Sequence, residues 1–234
     1  GQSWFDLNTF KAEYDFIGMS LANNTTVLSS RRSRVVDHPA GGKPDVNVSG
    51  VLLKSTDMGI NWSVMDVKKI GSGTDVSLNP NAAGGYGKDI YSVGVYNEDT
   101  MFVYSGWWDI TSGTSVSRGA VFRTNDKGNS WDAITPDLGS SFITSIVISD
   151  SLALIGGNKY FFIQNLFTNE INDLSVSVSS ASGSSSFFIN AITAKNTDTF
   201  YLTTTTHGIL KTENGGQLFT KLPNNTGSND LYIL

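Results

Sequence analysis

One eight-residue motif recurs along this 234-residue chain and constrains its fold more than any other feature. It consists of Ser or Thr, any residue, Asp, any residue, Gly, two further residues and an aromatic residue. Full copies occupy residues 55–62 and 124–131, and a weaker copy with Asn in the acidic position occupies 212–219. The defining residues are Ser55, Asp57, Gly59 and Trp62; Thr124, Asp126, Gly128 and Trp131; and Thr212, Asn214, Gly216 and Phe219. A motif that returns in this way indicates a repeat architecture.

Each residue type in the motif suits a tight turn between two antiparallel strands. A short Asp, Ser or Thr side chain hydrogen-bonds to the backbone of its own turn, and Gly adopts the positive φ that other residues reach only at a cost. The final aromatic side chain buries a large apolar area. Because these reasons are structural, we expect Asp57 and Asp126 to shape turns and not to act in catalysis.

The distances between the copies predict the length of the repeating unit. Asp57 and Asp126 are 69 positions apart, and Asp126 and Asn214 are 88 positions apart. The longer distance is about twice the roughly 40–50 residues of one unit in many repeat proteins. This predicts a further unit without a clean motif, and residues 169–172 (Asn-Glu-Ile-Asn) stand where its turn is expected.

The motif resembles the Asp-box, also called the BNR repeat, of β-propeller families that include sialidases, sortilin-type receptors, two-propeller xyloglucanases and photosystem assembly factors. The resemblance implies an all-β propeller of four-stranded antiparallel blades. It also implies that each Asp-box joins the third and fourth strands of a blade, on the face opposite the ligand. Those families share a fold and little else, so the resemblance leaves the function open.

On this pattern the chain is a single propeller domain or a part of one. The expected parts are a trailing strand at 1–13, whole blades at 14–67, 88–136, 142–178 and 187–223, and the start of a next blade at 229–234. The third blade is expected to end in a strand over 174–178, followed by a flexible Ser-rich link over 179–186. Both end strands lack partners, so we expect part of a larger ring, with a self-closed ring of four or five blades as the alternative.

Composition bears on the classes of partner and cofactor. The formal net charge is −5 and charged residues make up 16% of the chain, so no global charge favours nucleic acid or an anionic membrane. There is no cysteine, and His38 and His207 are far apart in sequence. We therefore predict no metal site and no cofactor. No apolar run reaches the roughly 18 residues of a membrane span.

Two long loops on the expected ligand face carry the candidate site residues. They cover 31–45 in the first blade and 106–118 in the second, each between the second and third strands. The candidates are Arg31, Arg32, Arg34, Trp107, Trp108, Asp109 and Arg118. Arginine binds carboxylate or sulfate in a planar, bidentate manner, and tryptophan offers a flat face to a sugar ring. Since neighbouring blades would bring the two loops together, the pattern predicts a glycan site.

A plainer interpretation of the same loops stays open. The loops could simply cover the rim of the propeller, with Trp107 or Trp108 packed beneath its own loop and the arginines in solvent.

Three functions remain open on this basis. The first is a non-catalytic extracellular or cell-surface binding or scaffold propeller, with a glycan or protein ligand and with remaining blades or companion domains as partners. The second is a glycoside hydrolase fragment of the sialidase or xyloglucanase kind, and the third is a sortilin-like peptide receptor. We expect the location to be secreted or cell-surface, in the extracellular or periplasmic space.

The hydrolase alternative needs acids that the sequence does not single out. The sialidase resemblance requires an arginine triad from separated blades and a tyrosine paired with an acid, whereas the loop arginines here come from two neighbouring blades. The xyloglucanase resemblance depends on Trp108-Asp109 followed by residues 119–123. Glycoside hydrolysis needs two carboxyls roughly 5–10 Å apart, and Asp37, Asp45 and Asp109 are the loop acids near the rim. We therefore expect a binding protein rather than an enzyme.

Overall fold

The computed structural model describes residues 16–30, 50–66, 70, 86–109, 116–205 and 207–223. Within these residues the chain forms four antiparallel sheets of four strands each and one short helix. Strands that are consecutive in sequence are hydrogen-bonded neighbours in every sheet. This is the all-β propeller architecture that the turn motif predicts. The predicted end strands at 1–13 and 229–234 and the loop at 31–45 lie outside the described residues.

The four sheets follow one another along the chain and are numbered in that order. The first contains β1 Phe16–Ala22, β2 Thr25–Ser30, β3 Leu52–Ser55 and β4 Ser63–Met65. The second contains β5 Tyr86–Val95, β6 Met101–Asp109, β7 Val116–Thr124 and β8 Asp132–Ala133. The third contains β9 Ile143–Ser149, β10 Leu152–Gly157, β11 Phe161–Asn165 and β12 Ile171–Asp173, and is followed by the helix α1 Ser175–Ser182. The fourth contains β13 Ile189–Ala194, β14 Phe200–Thr204, β15 Gly208–Thr212 and β16 Thr220–Lys221.

Apolar side chains fill the space between neighbouring sheets. Side chains alternate between the two faces of a strand, and β6 shows the result. Met101 and Val103 pack with Leu52 of the first sheet, whereas Phe102 between them packs with Phe162 of the third sheet. A further core of the same kind joins the third and fourth sheets. The sheets therefore stack face to face, and their inner strands are buried on both sides.

The Asp-box turns are built from hydrogen bonds within each motif. In the turn between β7 and β8, the Thr124 hydroxyl donates to Asp126 Oδ1 at 2.8 Å and accepts from the Gly128 N–H at 2.9 Å. The same Asp126 oxygen accepts from the Ser130 N–H at 2.8 Å. Gly128 has a φ of 89°, which a side chain would make costly.

The other two copies repeat this geometry. Ser55 Oγ accepts from the Gly59 N–H at 2.8 Å, and Thr212 Oγ1 accepts from the Gly216 N–H at 3.0 Å. In the third copy Asn214 takes the place of the acid and accepts the Thr212 hydroxyl at 2.9 Å. An amide oxygen is therefore sufficient for the turn, which explains why the weaker copy folds in the same way.

The third sheet departs from the expectation at its last strand. The strand predicted at 174–178 is wrong, because β12 ends at Asp173 and α1 takes up the following residues. The turn before β12 also comes earlier than 169–172. Asn165 Oδ1 caps it by accepting the N–H groups of Phe167 at 2.9 Å and Thr168 at 3.0 Å.

Because the turn and β12 come earlier than predicted, the residues after β12 are free to form the helix α1. Leu174 and Val178 are four residues apart and contact the same core, as residues on one helix face do. The helix ends at Ser182 and is capped by Gly183, which has a φ of 72°. The predicted flexible link at 179–186 is therefore helical over its first half. With eight residues, α1 is far too short to cross a membrane, and no other described segment is a membrane-spanning helix.

Candidate functional site

The hairpin of β6 and β7 is longer than predicted and carries the candidate site. Residues 106–109 and 116–118, expected in a loop, continue the ladder, with Gly106 opposite Gly119 and Trp107 opposite Arg118. The Gly-Trp-Trp-Asp sequence is typical of a loop, but backbone pairing across the hairpin holds it extended. Trp107 therefore lies in a strand, which corrects the expectation that it sits on a loop.

The facing pair of glycines makes room for two tyrosine rings. A Cβ at Gly119 would overlap the Tyr104 hydroxyl, and a Cβ at Gly106 would lie 3.2 Å from Cε2 of Tyr91. The Tyr104 hydroxyl donates to the backbone oxygen of Ser141 at 2.5 Å. This bond ties the second sheet to the segment that enters the third sheet, and burial raises the pKa of Tyr104 well above its usual range.

A small cavity of about 70 Å³ opens between these rings and the start of the third sheet. We call it the aromatic cavity, and its lining residues are Asp89, Tyr91, Tyr104, Gly106, Trp107, Ser117, Arg118 and Phe142. Phe142 immediately precedes β9 and is 41% exposed, so it stands at the mouth. Its ring lies 5.3 Å from that of Tyr91 between centroids, at an angle of 68°.

The charged groups that line the aromatic cavity each have a hydrogen-bonding partner beside it. Arg118 Nη1 donates to Asp137 Oδ2 at 2.6 Å. The other Asp137 oxygen accepts the N–H groups of Gly119 at 3.1 Å and Gly139 at 2.9 Å. The Tyr91 hydroxyl donates to Asp89 Oδ2 at 3.1 Å. These bonds hold the guanidinium and both carboxylates in defined positions.

The aromatic cavity lies at the end of the sheets opposite the Asp-box turns. Arg118 is near the beginning of β7, and Thr124, where the Asp-box begins, is its last residue. At about 3.3 Å per residue these two positions are roughly 20 Å apart. The aromatic cavity therefore lies at the end of the blade where the resemblance predicts the ligand face.

The predicted site residues lie in different environments. Arg31, Arg32 and Arg34 lie outside the described residues. Trp107 is only 3% exposed, and its ring packs 6.2 Å from that of Phe122 in the core between the first and second sheets. It lines the aromatic cavity without offering it an open indole face.

The remaining candidates lie beside Trp107 on the same hairpin. Trp108 and Asp109 are the last residues of β6 and pair with Ser117 and Val116. Arg118 lines the aromatic cavity. Their contact with a ligand stays a prediction.

Sequence reasoning missed most of the cavity wall. Tyr91, Tyr104 and Phe142 belong to apolar stretches that predict buried strands, so nothing in their spacing marks a site. The sequence offered one indication of a polar site here: two tyrosines lie within otherwise apolar stretches, and a buried phenol hydroxyl needs a hydrogen-bonding partner. Asp137 was missed because its role depends on a partner 19 positions away.

A larger cleft of about 440 Å³ lies at the Asp-box end, between the first and second sheets. Lys54 is 8% exposed there, and its ammonium donates to the backbone oxygen of Glu98 at 3.0 Å. Burial lowers the pKa of Lys54, and Lys127 pairs with the Glu98 carboxylate at 3.0 Å. Lys54 is thus occupied in joining the two sheets and Lys127 in an ion pair within the second sheet, so the smaller aromatic cavity is the stronger candidate. In the described part of the chain, no cluster of three His, Asp or Glu could hold a metal ion.

No protein-family model and no curated protein matches the sequence. Solved structures do match, and one is the extracellular domain of BT4673 from B. thetaiotaomicron. It has a TM-score of 0.55 at 14% identity, over 92% of this chain and 24% of that one. This chain thus spans about a quarter of that domain. At such identity the similarity establishes the propeller fold and carries no activity.

Two further structures resemble the chain more loosely. YCF48 from Cyanidioschyzon merolae has a TM-score of 0.44 at 13% identity, over 90% of this chain and 72% of that one. The Niastella koreensis GH74 enzyme has a TM-score of 0.42 at 14% identity, over 88% of this chain and 38% of that one. Superpositions this loose support no conclusion about the site.

Proposed function

We propose that this chain is a non-catalytic binding propeller, secreted or displayed at the cell surface, that holds a ligand at the aromatic cavity. The observation that carries the proposal is the meeting of Tyr91, Tyr104, Arg118 and Phe142 from two sheets around one opening. Apolar walls with a few fixed polar groups are the usual composition of a ligand site. Phe142 is 41% exposed and lines the same cavity as Arg118, so its ring is accessible to a ligand.

A glycan is the ligand class that we propose. An aromatic ring at the mouth of a cavity can stack on the apolar face of a sugar, and fixed hydrogen-bonding groups select its hydroxyls. The ion pair with Asp137 already balances the charge of Arg118, which favours a neutral sugar over an acidic one at this position. Arg31, Arg32, Arg34, Trp108 and Asp109 remain proposed contacts around the same rim.

Location and partners form part of the same proposal. The extracellular domain of BT4673 shares the fold, which supports a place outside the cytoplasm, in the extracellular or periplasmic space. That domain is also about four times longer than the matched region. We therefore include further blades or companion domains among the proposed partners.

Glycoside hydrolysis is a second candidate, on one observation. Tyr91 donates to Asp89 at 3.1 Å within the aromatic cavity, and a tyrosine paired with an acid is what the sialidase resemblance requires. Turnover of chromogenic glycosides by the wild type, lost in Tyr91→Phe, would favour this candidate. Binding without turnover would favour the first.

A glycan array comparing three proteins tests the proposal. We expect Phe142→Ala to weaken binding about tenfold, the equivalent of about 1.4 kcal/mol, because the ring at the cavity mouth is lost. Phe167→Ala is the matched control, since Phe167 is 72% exposed in the turn between β11 and β12, at the Asp-box end. Binding that survives Phe142→Ala, or that is lost equally in Phe167→Ala, would overturn the proposal.

A further inference from the structure

The outer face of the first sheet, turned away from the second sheet, carries a row of apolar side chains that we call the outer row. It consists of Met19 in β1, Leu28 in β2, Leu53 in β3 and Val64 in β4, which pair across the four strands. Leu52, next to Leu53 in β3, faces the other way and packs with the second sheet. The outer row is open at both ends, since Met19 is 72% exposed and Val64 is 61% exposed.

Equivalent rows in the other three sheets are covered. Val93, Ile146 and Ile192 occupy the place of Met19 in the first strand of each sheet. Each packs against the sheet before its own, and their exposures are 4%, 7% and 6%. The same position is therefore buried in the three sheets that follow another described sheet, and it is open in the first.

The Asp-box turns show the same difference. Trp131, which ends the second box, is 1% exposed and packs in the core shared with the first sheet. A Cβ at Gly128 of that box would overlap Cε of Met65 in β4. In the first box, a Cβ at Gly59 would meet no described neighbour within 4 Å except the Trp62 ring of the same turn. Among the described residues, the first box thus lacks the neighbouring sheet that the second box has.

A sheet suits the outer row better than a single segment of chain. A lone segment laid across the row would leave its backbone N–H and C=O groups without partners, whereas a sheet pairs these groups internally. The three covered interfaces all join a sheet to a sheet. The outer row contains no charged side chain, so we expect its partner face to carry no unpaired charge.

The fourth sheet has a face of this kind. Its outer face, away from the core shared with the third sheet, carries a row of Thr193, Tyr201 and Lys211. The charge of Lys211 is paired with Glu213 at 2.6 Å. In the second sheet, Gly94 holds the place of Thr193, and a Cβ there would overlap Ile146, the counterpart of Met19 in the third sheet. Thr193 therefore occupies the position that would contact Met19 if a first sheet followed the fourth.

We propose that the outer row binds the outer face of the fourth sheet of a second copy of this chain. Two-fold symmetry forms the contact twice, so that two chains of four sheets close one ring of eight. Propellers commonly contain about four to eight blades, so two copies fit one ring and three copies, with twelve sheets, do not. A second copy thus supplies the further blades of the proposed function. Ligand binding is independent of this assembly, because the aromatic cavity lies within one chain.

Sedimentation velocity over a range of protein concentrations tests the assembly. We expect the wild type to form a discrete dimer and nothing larger, because the ring is closed. Met19→Glu places a charge in the outer row of both chains and should weaken dimerisation roughly a hundredfold, about tenfold for each contact. Leu218→Glu makes a similar change at a side chain that is 63% exposed in the box turn of the fourth sheet, and should leave the dimer unchanged.

A monomeric wild type, assemblies larger than a dimer, or a dimer that survives Met19→Glu would each overturn the inference. Far-UV circular dichroism and thermal melting of Met19→Glu distinguish lost association from lost folding. A monomeric wild type that still binds a glycan through Phe142 would leave the proposed function standing.

Cysteine cross-linking identifies the two faces without adding a charge. The chain contains no cysteine, and a variant with both Met19→Cys and Thr193→Cys should form a disulfide-linked dimer under mild oxidation, while each single variant stays unlinked. Linkage in Met19→Cys alone would mean that two first sheets pair with each other, and linkage within one chain would mean a self-closed ring of four sheets. Either result, or an unlinked double variant, would overturn the inference.

Discussion

At the scale of single residues, Asp126 shows how the repeated motif stabilises its turn. Its carboxylate accepts the Ser130 hydroxyl at 2.6 Å and N–H at 2.8 Å as well as the Thr124 hydroxyl. These bonds, those from Ser130 foremost, hold the pKa of Asp126 at about 2, below the ordinary 3.8. Because the folded-state pKa is depressed, the stabilisation is complete above pH 3.8 and is lost as the pH falls toward 2.

We therefore expect Asp126→Ala to lower the melting temperature at neutral pH by about 2–6 °C without changing ligand affinity. Asp126→Asn should lower the melting temperature less, because Asn214 forms the same turn in the third copy. The melting temperature of this variant should also decrease less steeply with pH near pH 3, because Asn does not titrate. Thermal melts of the three proteins between pH 7 and pH 2 measure both effects. Native melting with lost ligand binding would contradict the structural role of the turn.

At the scale of elements, the extension of β6 places Trp107 in a strand and buries its side chain. Its ring is enclosed by the core between the first and second sheets, so Trp107→Ala should leave a cavity and lower the free energy of unfolding by about 3–5 kcal/mol. Urea denaturation measures the loss. Trp107→Phe, which refills most of the space, should recover much of the stability. A stable Trp107→Ala protein with weakened glycan binding would show instead that the ring serves the ligand.

At the scale of the whole molecule, Arg123 joins the second and third sheets at the Asp-box end. Its Nε donates to Asn125 at 2.9 Å, Nη2 donates to the backbone oxygen of Leu166 at 3.2 Å, and Nη1 donates to Asn169. The guanidinium also lies 5.6 Å from the centre of the Phe102 ring. Burial lowers the pKa of Arg123, and the neutral acceptors offset the cost of enclosing the charge.

Arg123→Met keeps an apolar stem of similar length and removes every one of these donors. We expect the free energy of unfolding to fall by about 1–3 kcal/mol and hydrogen exchange to speed up in the turn over 166–170. Exchange in the fourth sheet, which Arg123 does not touch, is the internal control. An unchanged or higher free energy of unfolding would mean that the cost of burying the charge equals or exceeds the stabilisation from its contacts.

The sequence alone determined the parts that depend on neighbours along the chain. The Asp-box turns form from side chains two to four positions apart, so their residue types predicted both the turns and the short antiparallel strands that they join. The repeat distances in turn predicted a blade between Asp126 and Asn214 that lacks a clean motif. Local patterns failed after Asn165, where a turn of different chemistry moved β12 forward and left Leu174 and Val178 to form a helix.

Only the tertiary structure decided where the candidate site lies and what it contains. Trp107 and Arg118 are paired across a hairpin and lie on the same face of the sheet. Trp107 is nevertheless buried in the core while Arg118 pairs with Asp137 beside the cavity, because different parts of the chain pack against the two positions. Tyr91 and Phe142 are 51 positions apart and meet because two sheets pack face to face. Residue patterns report local preference, whereas a cavity is the space left by surfaces that are distant in sequence, and packing alone determines that space.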